Sequence, residues 1–519
     1  MTQNPMTPSD RGRRLLPHVI DDLASSNPTR IFASIPLSND LQDGFQDITY
    51  ECFARSIDKC SWWMEENPVR SEKFETLNYV GPQDLRYIML LLAAIKTGYQ
   101  VSCEILLVPE KLPAITQSLL SKRQMRTLRI QNPEDLLSES SVLSYSYTKT
   151  FDQARYEPFL VLHTSGSTGI QKPIILTHGN ISQHDTFLIP PLTGHQPITL
   201  SLYQDARVFI GLGLFHSAAL CFTSFCIYST TVVVLPPPIP MTPEVANLAH
   251  LHGKLDPSFL SPAILTQIEK TPRYLTNIKT LRYLNYGGGP LPTEIGNSLK
   301  SHTHLFVHFG ATETGFCALQ ITDPEDWEYM KFSPMMGIEF RLFTKDLYEL
   351  YFIREPSLTL SQGVFSTFPY LNEYSSKDLF SKHPTKEGLW HFEGRADDVV
   401  ICSTGAEINP MGMEESVNAH PSVEVAIVCG SGRMRGFLLV EARDPPRDVK
   451  EEMLIEEIWD TVEKGNRSEQ SHGKITKELI LFTKAEKPMV RAGKGTVLRK
   501  LTEELYGEEL NNLCAAVEG

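Results

Sequence analysis

Val161-Leu-His-Thr-Ser-Gly-Ser-Thr-Gly-Ile-Gln-Lys-Pro173 is the stretch on which the reading of this chain turns. An apolar run, Phe159 to Leu162, leads into the hydroxyl residues Thr164 and Ser165. Gly166, Ser167, Thr168 and Gly169 follow, and Lys172 closes the run. Strand, glycine-rich turn and lysine in that order make a loop able to wrap phosphates. Glycines let backbone N–H groups approach the oxygens, hydroxyls donate further bonds, and the lysine supplies charge. A Walker loop needs four residues between its first glycine and Gly-Lys-Ser/Thr. That spacing does not occur in the chain, which sets P-loop nucleotidases aside. Most Ser/Gly-rich runs are plain surface turns. The density of hydroxyls, the Lys172-Pro173 pair and the Thr177-His178-Gly179-Asn180 that follows distinguish this one.

Working outward, 519 residues are too many for one ordinary core, so two or three domains are expected. Apolar content of 41% and charged content of 21% belong to a soluble globular chain. A net charge of −14 disfavours a nucleic-acid binder, which needs a positive footprint. The 9 cysteines are scattered without a Cys-x-x-Cys pair, which predicts a reduced protein without a structural zinc site. The polar start, Met1 to Arg14, has no apolar run of signal-peptide type, so a cytoplasmic location is expected. From Val208 to Pro243 there is no charged residue, a length that exceeds the ~20 residues of a membrane span. Its glycines, His216 and the Pro236-Pro-Pro-Ile-Pro240 run favour a buried helix followed by a buried strand, Thr231 to Leu235. No membrane association is expected.

The coarse pattern predicts a strand at Asp47–Tyr50, an amphipathic helix over Tyr50–Glu66, a strand at Leu77–Gly81 and a helix over Asp84–Thr97. Strands alternating with helices then continue to residue 390, the signature of α/β layers with largely parallel sheets. After Gly394-Arg395-Ala396-Asp397-Asp398 the character changes to a small α+β unit of about a hundred residues. The expected division is residues 11–396, a large N-terminal body; 397–507, a small mobile domain; and 508–519, a tail or linker.

Together, the loop and four later segments resemble the adenylate-forming enzymes: acyl- and aryl-CoA synthetases, luciferases and nonribosomal peptide synthetase adenylation domains. Thr164-Ser-Gly-Ser-Thr-Gly-Ile-Gln-Lys-Pro173 looks like the family's phosphate loop, which holds the β and γ phosphates of ATP. Asn285-Tyr-Gly-Gly-Gly-Pro290 is similar to the segment beside adenine and the acyl pocket, which points to Gly287, Gly288 and Gly289. Phe309-Gly-Ala-Thr-Glu313 resembles the family's Tyr-Gly-x-Thr-Glu. By that match Phe309 stacks on adenine, Ala311 borders the substrate, Thr312 contacts the α phosphate or carboxylate, and Glu313 ligates Mg²⁺. Ser376-Lys-Asp-Leu379 resembles Thr-Gly-Asp-Leu, with Lys377 where the family has Gly. Asp378 then accepts both ribose hydroxyls, a task suited to an acceptor-only carboxylate. Arg395 reaches ribose or phosphate, and Asp397 is the hinge. Arg491-Ala-Gly-Lys-Gly-Thr496 supplies Lys494, which neutralises charge between carboxylate and α phosphorus.

The resemblance implies an ATP- and Mg²⁺-dependent ligase with Lys172, Thr312, Glu313 and Lys494 in catalytic roles. A carboxylate attacks ATP to give an acyl adenylate, which is handed to a phosphopantetheine thiol after the small domain rotates about Asp397, with Gly405 lining the thiol path. Amino-acid-activating members carry an Asp in a Phe-Asp-x-Ser segment, where this chain has Phe215-His216-Ser217-Ala218. A histidine cannot stand as that fixed anion, so the expected substrate is an aromatic or other non-amino acid with His216 in its pocket. Arg14-Leu-Leu-Pro17, Gly81-Pro-Gln-Asp-Leu-Arg-Tyr87 and Gly388-Leu-Trp390 resemble fungal adenylation–thiolation–reductase enzymes in particular. The expected partner is a carrier domain in cis or in trans, from an excised first domain or a free-standing ligase. The alternatives are an aryl- or acyl-CoA ligase with CoA as acceptor, and a nucleotide-binding protein without catalysis.

Overall fold

The structure, a computed structural model, describes residues 10–67, 77–98, 105–165, 171–404, 407–443, 451–467, 473–491 and 496–518. Among these, the largest sheet has seven strands, in the order His304–His308, Tyr283–Gly287, Pro257–Leu260, Arg207–Ile210, Val232–Val234, Ile31–Pro36 and Phe45–Thr49. All neighbours are parallel except the last pair. Parallel strands need crossover connections and are buried on both faces, and the strands are apolar to match: Phe259, Leu260, Val233, Val234 and Phe32 are buried. The charge-free stretch folds as the helix Ser217–Ser229, buried from Ala219 onward, and the strand Val232–Val234. No helix among the described residues is long and apolar enough to cross a membrane.

The helix Tyr50–Glu66 spans its sequence-predicted limits, capped by the Thr49 hydroxyl, which accepts the Cys52 N–H. It packs on Arg86–Thr97, whose buried Lys96 ammonium pairs with Asp21 at 2.8 Å and Asp58 at 2.9 Å. Pairing is what allows a lysine there at all.

The expectation of largely parallel sheets to residue 390 fails after Leu319. There the chain builds a six-stranded sheet, ordered Leu319–Gln320, Tyr329–Phe332, Trp390–Arg395, Glu373–Lys382, Leu347–Ile353 and Ile338–Thr344, whose pairs are antiparallel. The reason is connection length. Only Lys345 and Asp346 join Thr344 to Leu347, enough for a hairpin and far too little for a crossover.

A separate hairpin carries the opening stretch. Pro158–Ser165 pairs antiparallel with Gln171–Thr177, placing Thr164 opposite Lys172 and Ser165 opposite Gln171.

Beyond Asp398 a second core forms around the three-stranded sheet Val423–Cys429, Phe437–Ala442 and Ile480–Phe482, covered by the helices Met411–Asn418 and Glu451–Asn466. Its buried members run from Val400 to Leu510 and are separate from the apolar clusters of the preceding body. The expected tail or linker is therefore folded over residues 508–518. Gly507–Glu518 is a helix, and Leu510, at 0% exposure, belongs to this second core. The molecule is a large body of layered α/β sheets followed by a smaller α+β unit.

Candidate functional site

The helix following the opening hairpin, His178–Thr186, is polar almost throughout, yet every residue in it is buried. A helix polar on all sides belongs in solvent unless its side chains find partners. Here they do. Thr177 caps it, accepting the Asn180 N–H at 3.2 Å. Asp185, fully buried, accepts from Arg11 at 2.8 Å, from both ends of the Arg14 guanidinium, and from the Gly12 N–H at 2.9 Å. Ser182 donates to Arg14 O. Burial pushes His184 down to about 4 and keeps it neutral. Its Nδ1 donates to Ile181 O at 2.9 Å, and Nε2 accepts the Phe316 N–H at 3.4 Å.

The remaining side chains of this helix reach the turn that holds Thr312 and Glu313. Asn180 Nδ2 donates to Glu313 O at 3.2 Å and to Thr367 Oγ1 at 2.9 Å. Gln183 Nε2 donates to Thr314 O at 2.7 Å, while its Oε1 accepts the Gly363 N–H at 3.0 Å. The turn itself is a tight antiparallel pair, Gly310 opposite Phe316 and Ala311 opposite Gly315. Thr312 Oγ1 donates to Ser217 Oγ at 3.2 Å, joining the turn to the His216–Ser217 segment. His216 is the N-cap of the helix Ser217–Ser229, and its Nδ1 accepts the Ala218 N–H at 3.3 Å.

Phe309 sits against Phe332, Phe380 and Phe392 at centroid distances of 5.8, 5.3 and 6.2 Å. Gly287 lies opposite His308 in the parallel register, so close that a Cβ there would stand 2.6 Å from His308 O. Gly288 and Gly289 instead face open space, Gly288 with φ +81°. Under this floor lies a buried, mutually bonded polar trio: Tyr203 OH and His308 Nε2 both donate to Asn285 Oδ1, and Asn285 Nδ2 donates to Ser258 O at 3.1 Å. Burial pushes His308 down to about 3.

At the far side Asp378 stands on the strand Glu373–Lys382, opposite Arg395. Arg395 Nη1 is 3.1 Å from Asp378, and Nε is 2.9 Å from Asp397. Burial pushes Asp378 up to about 6, against the opposing pull of Arg395. The Glu313 charge adds to the upward push on both Asp378 and Tyr374, so the three groups lie within electrostatic reach of one another. Lys377 carries φ +66°, in the left-handed region that glycine enters at little cost.

Of the sequence-predicted residues, Gly287, Gly288, Gly289, Phe309, Ala311, Thr312, Glu313, His216, Asp378, Arg395 and Asp397 thus form a connected set. Thr164 and Lys172 face each other across the hairpin, with Lys172 exposed. Ser165 is described through its backbone only. Gly166, Ser167, Thr168, Gly169, Gly405 and Lys494 lie outside the described residues. Ser217, Tyr374, Asn180, Gln183 and His184 were not singled out from sequence as site residues. Asn180 closes the Thr177-His178-Gly179-Asn180 motif, and Gln183 and His184 follow it at helical spacing, the one trace of this face in the sequence. Among the described residues no group of three or more His, Cys, Asp or Glu side chains is gathered to cage a metal, so a divalent cation here would be held through the single carboxylate of Glu313, with phosphate and water oxygens completing its shell.

Two family profiles match the chain: "AMP-binding enzyme" over residues 100–345 and "AMP-binding enzyme C-terminal domain" over residues 397–518. A carboxylic acid reductase of Neurospora crassa is 31% identical over 98% of this chain and 51% of its own length. An isocyanide synthase–NRPS hybrid of Aspergillus fumigatus is 29% identical over 96% of this chain and 33% of its own. The chain thus spans about half of the first relative and a third of the second. Among solved structures, an anthranilate CoA ligase in complex with anthranoyl-AMP superposes with TM-score 0.69 at 14% identity, covering 96% of this chain and 98% of that one. That likeness is one of fold.

Proposed function

The chain belongs to the AMP-binding, adenylate-forming enzymes, the carboxylic-acid-activating ligases, and from that premise we propose that it activates an aromatic or other non-amino acid as its acyl adenylate. The proposal extends to transfer of the acyl group to the phosphopantetheine thiol of a carrier domain. The observation that carries it is a single turn bearing Thr312, bonded to Ser217 beside His216, and Glu313, whose charge reaches Asp378, the partner of Arg395. The likeness to a carboxylic acid reductase supports a carboxylic acid as the substrate.

In this reading Asp378 accepts the ribose hydroxyls and Phe309 presents its ring to adenine above the open floor of Gly288 and Gly289. Thr312 donates to the oxygens of the reacting carboxylate or α phosphate. Lys172 and the hydroxyls and amides of residues 164–169 hold the β and γ phosphates, and Lys494 balances charge at the reacting centre. Magnesium bound through Glu313 supplies neutralisation of the phosphate charge. No general base is required, because the attacking carboxylate is already an anion. Catalysis is then positioning and electrostatics, not proton transfer.

The substrate class rests on His216. Its ring nitrogen is engaged as an acceptor in a helix cap, and it offers no fixed anion to pair with an α-ammonium group. Asp397, partly exposed and bonded to Arg395, is proposed as the pivot between a body of residues 11–396 and the following unit.

Carboxylate-dependent ATP–pyrophosphate exchange over panels of aryl acids, fatty acids and α-amino acids tests this. Exchange with aryl or other non-amino acids is expected. Strong exchange with an α-amino acid would overturn the substrate class, and none with any panel would leave a nucleotide-binding protein. Product analysis with a pantetheinylated carrier domain against free CoA then separates carrier loading from CoA ligation.

A further inference from the structure

We propose that the buried polar helix His178–Thr186 is the positioning element of the Thr312–Glu313 turn, with Asn180 and Gln183 as its two positioning residues. The inference rests on the functional reading above. It adds a role for residues that touch neither nucleotide nor acid in that reading.

The turn has internal bonds, Ala311 N–H to Thr314 Oγ1 at 3.1 Å and Thr314 N–H to Ala311 O at 3.3 Å, but its Glu313 and Thr314 carbonyls are bonded from the helix. Gly310–Ala311 and Gly315–Phe316 are strands of two residues each, with Thr312, Glu313 and Thr314 between them. The backbone beneath the two functional side chains is held from outside. Glu313 O accepts from Asn180, Thr314 O accepts from Gln183, and the Phe316 N–H donates to His184. These three bonds come from one face of one helix, because positions 180, 183 and 184 fall at i, i+3 and i+4.

The same two amides also hold a second segment. Asn180 Nδ2 is shared with Thr367 Oγ1, and Gln183 Oε1 accepts the Gly363 N–H. The chain from there runs into the strand Glu373–Lys382, which carries Asp378. Each side chain therefore ties the metal-and-phosphate turn to the start of the ribose-binding segment. Backbone is cut away on both sides to admit Gln183: a Cβ on Gly315 or on Gly363 would lie 2.5 Å from its Nε2. A primary amide is the side chain that fits, since one partner is a carbonyl and the other an N–H. The helix, in turn, is anchored far from the turn by Asp185 with Arg11 and Arg14. It also follows immediately on the hairpin that bears Thr164 and Lys172. The hairpin strands, the turn and the segment leading to the ribose strand thus share one helix as their common support.

Misplacing reacting groups by about 1 Å costs roughly 100-fold in rate even when the mutated residue is remote. Gln183→Glu keeps the shape and the acceptor toward Gly363 but turns the donor toward Thr314 O into a lone pair. Gly363→Ala leaves Gln183 intact and pushes it with a methyl group, at a backbone position that lies outside the left-handed region. Both are compared with the unaltered chain in pyrophosphate exchange, with Mg²⁺ titrated and with folding checked by circular dichroism. The expected result is a fall in exchange kcat of about 10- to 100-fold and a several-fold rise in the Mg²⁺ needed for half-maximal rate. The KM for the acid should move less. A folded variant with kcat, KM and Mg²⁺ requirement within about twofold of the parent overturns the proposal. Should Gln183→Glu fail to fold, Gly363→Ala decides. If the unaltered chain itself shows no exchange, the functional reading has failed, and hydrogen exchange of the free protein decides the positioning role. Faster exchange in Gly363→Ala confined to residues 310–317 and 363–367 supports it, and unchanged protection there overturns it.

Discussion

Glu313 and Lys172 are the two charged groups that the proposed chemistry sets around one nucleotide, and they are built in opposite ways. Glu313 is carried on a turn whose backbone is bonded to a buried helix, and its charge is felt at Asp378 and Tyr374. Lys172 stands exposed on a hairpin strand. A group that fixes geometry must be held by others whose own positions are already determined. A group that balances charge on a flexible four-carbon stem reaches its target from an exposed base. The difference sorts the site into a braced side, Glu313 and Asp378, and an exposed side.

The largest test of that contrast is Glu313→Gln, which keeps size and removes the anion. Loss of a preorganised electrostatic partner costs about 100-fold or more in kcat, and here the Mg²⁺ dependence of exchange should flatten as well. A change below about threefold would place the metal elsewhere and dissolve the contrast.

The braced side was only partly legible in sequence. Alone, the pair Thr312 and Glu313 reads as a solvated turn; the two stand out because Phe309-Gly-Ala-Thr-Glu313 resembles the family's Tyr-Gly-x-Thr-Glu. The helix that holds them does not, because His178-Gly-Asn-Ile-Ser-Gln-His-Asp-Thr186 shows no apolar stripe and reads as solvent-facing. Its burial depends on Arg11, Arg14, Thr314 and Gly363, residues far away in the chain. The antiparallel sheet after Leu319 escaped for a related reason: strand direction is set by connection length, and periodicity alone is silent on it. Long, strongly periodic elements were read well, as in Tyr50–Glu66, whose apolar residues recur at helical spacing. The terminal helix Gly507–Glu518 shows the converse, since Leu510 is buried only because the second core already exists to receive it.

Asp378→Asn comes next, and pH sharpens it. Asp378 binds hydroxyls as a carboxylate, and burial raises it to about 6 in the free protein. Below that pH the group is protonated and loses an acceptor, so the KM for ATP should rise about tenfold per pH unit as pH falls below 6. The asparagine variant should start with a KM about 10- to 100-fold higher and lack that slope. The stability effect has the opposite sign. With the folded value raised, the burial cost of the charge is fully present above about 6 and gone below the ordinary aspartate value, so this residue makes the fold more stable as pH falls through that window. Thermal melts of parent and variant at pH 5 and 7 check the sign: the parent alone should gain on acidification through this group.

On the exposed side, Lys172→Ala should raise the KM for ATP by about tenfold, the scale of one charge-assisted bond, and leave kcat and the melting temperature nearly unchanged. A kcat loss as large as that of Glu313→Gln would mean that Lys172 acts at the reacting centre, and the two sides of the site would then not differ.

The smallest effect is expected at Lys377. Its φ of +66° is a conformation that costs a non-glycine residue about 1–2 kcal/mol. Glycine relieves that strain but returns roughly 0.5–1 kcal/mol of it through the greater freedom of the unfolded chain. It also removes an ion pair with Glu349, 3.3 Å away, in which the lysine is more than half exposed and the pair is worth little. Lys377→Gly should therefore stabilise the protein by only about 0.5 kcal/mol in denaturant titration. The KM for ATP should stay within about twofold, because the Asp378 backbone is already in place: its N–H donates to Ser376 Oγ at 3.0 Å, and Lys377 O accepts the Ala396 N–H at 2.7 Å. A large loss of nucleotide affinity would show that the lysine side chain takes part in the site, and the braced side would then extend to a residue that the present geometry leaves facing Glu349.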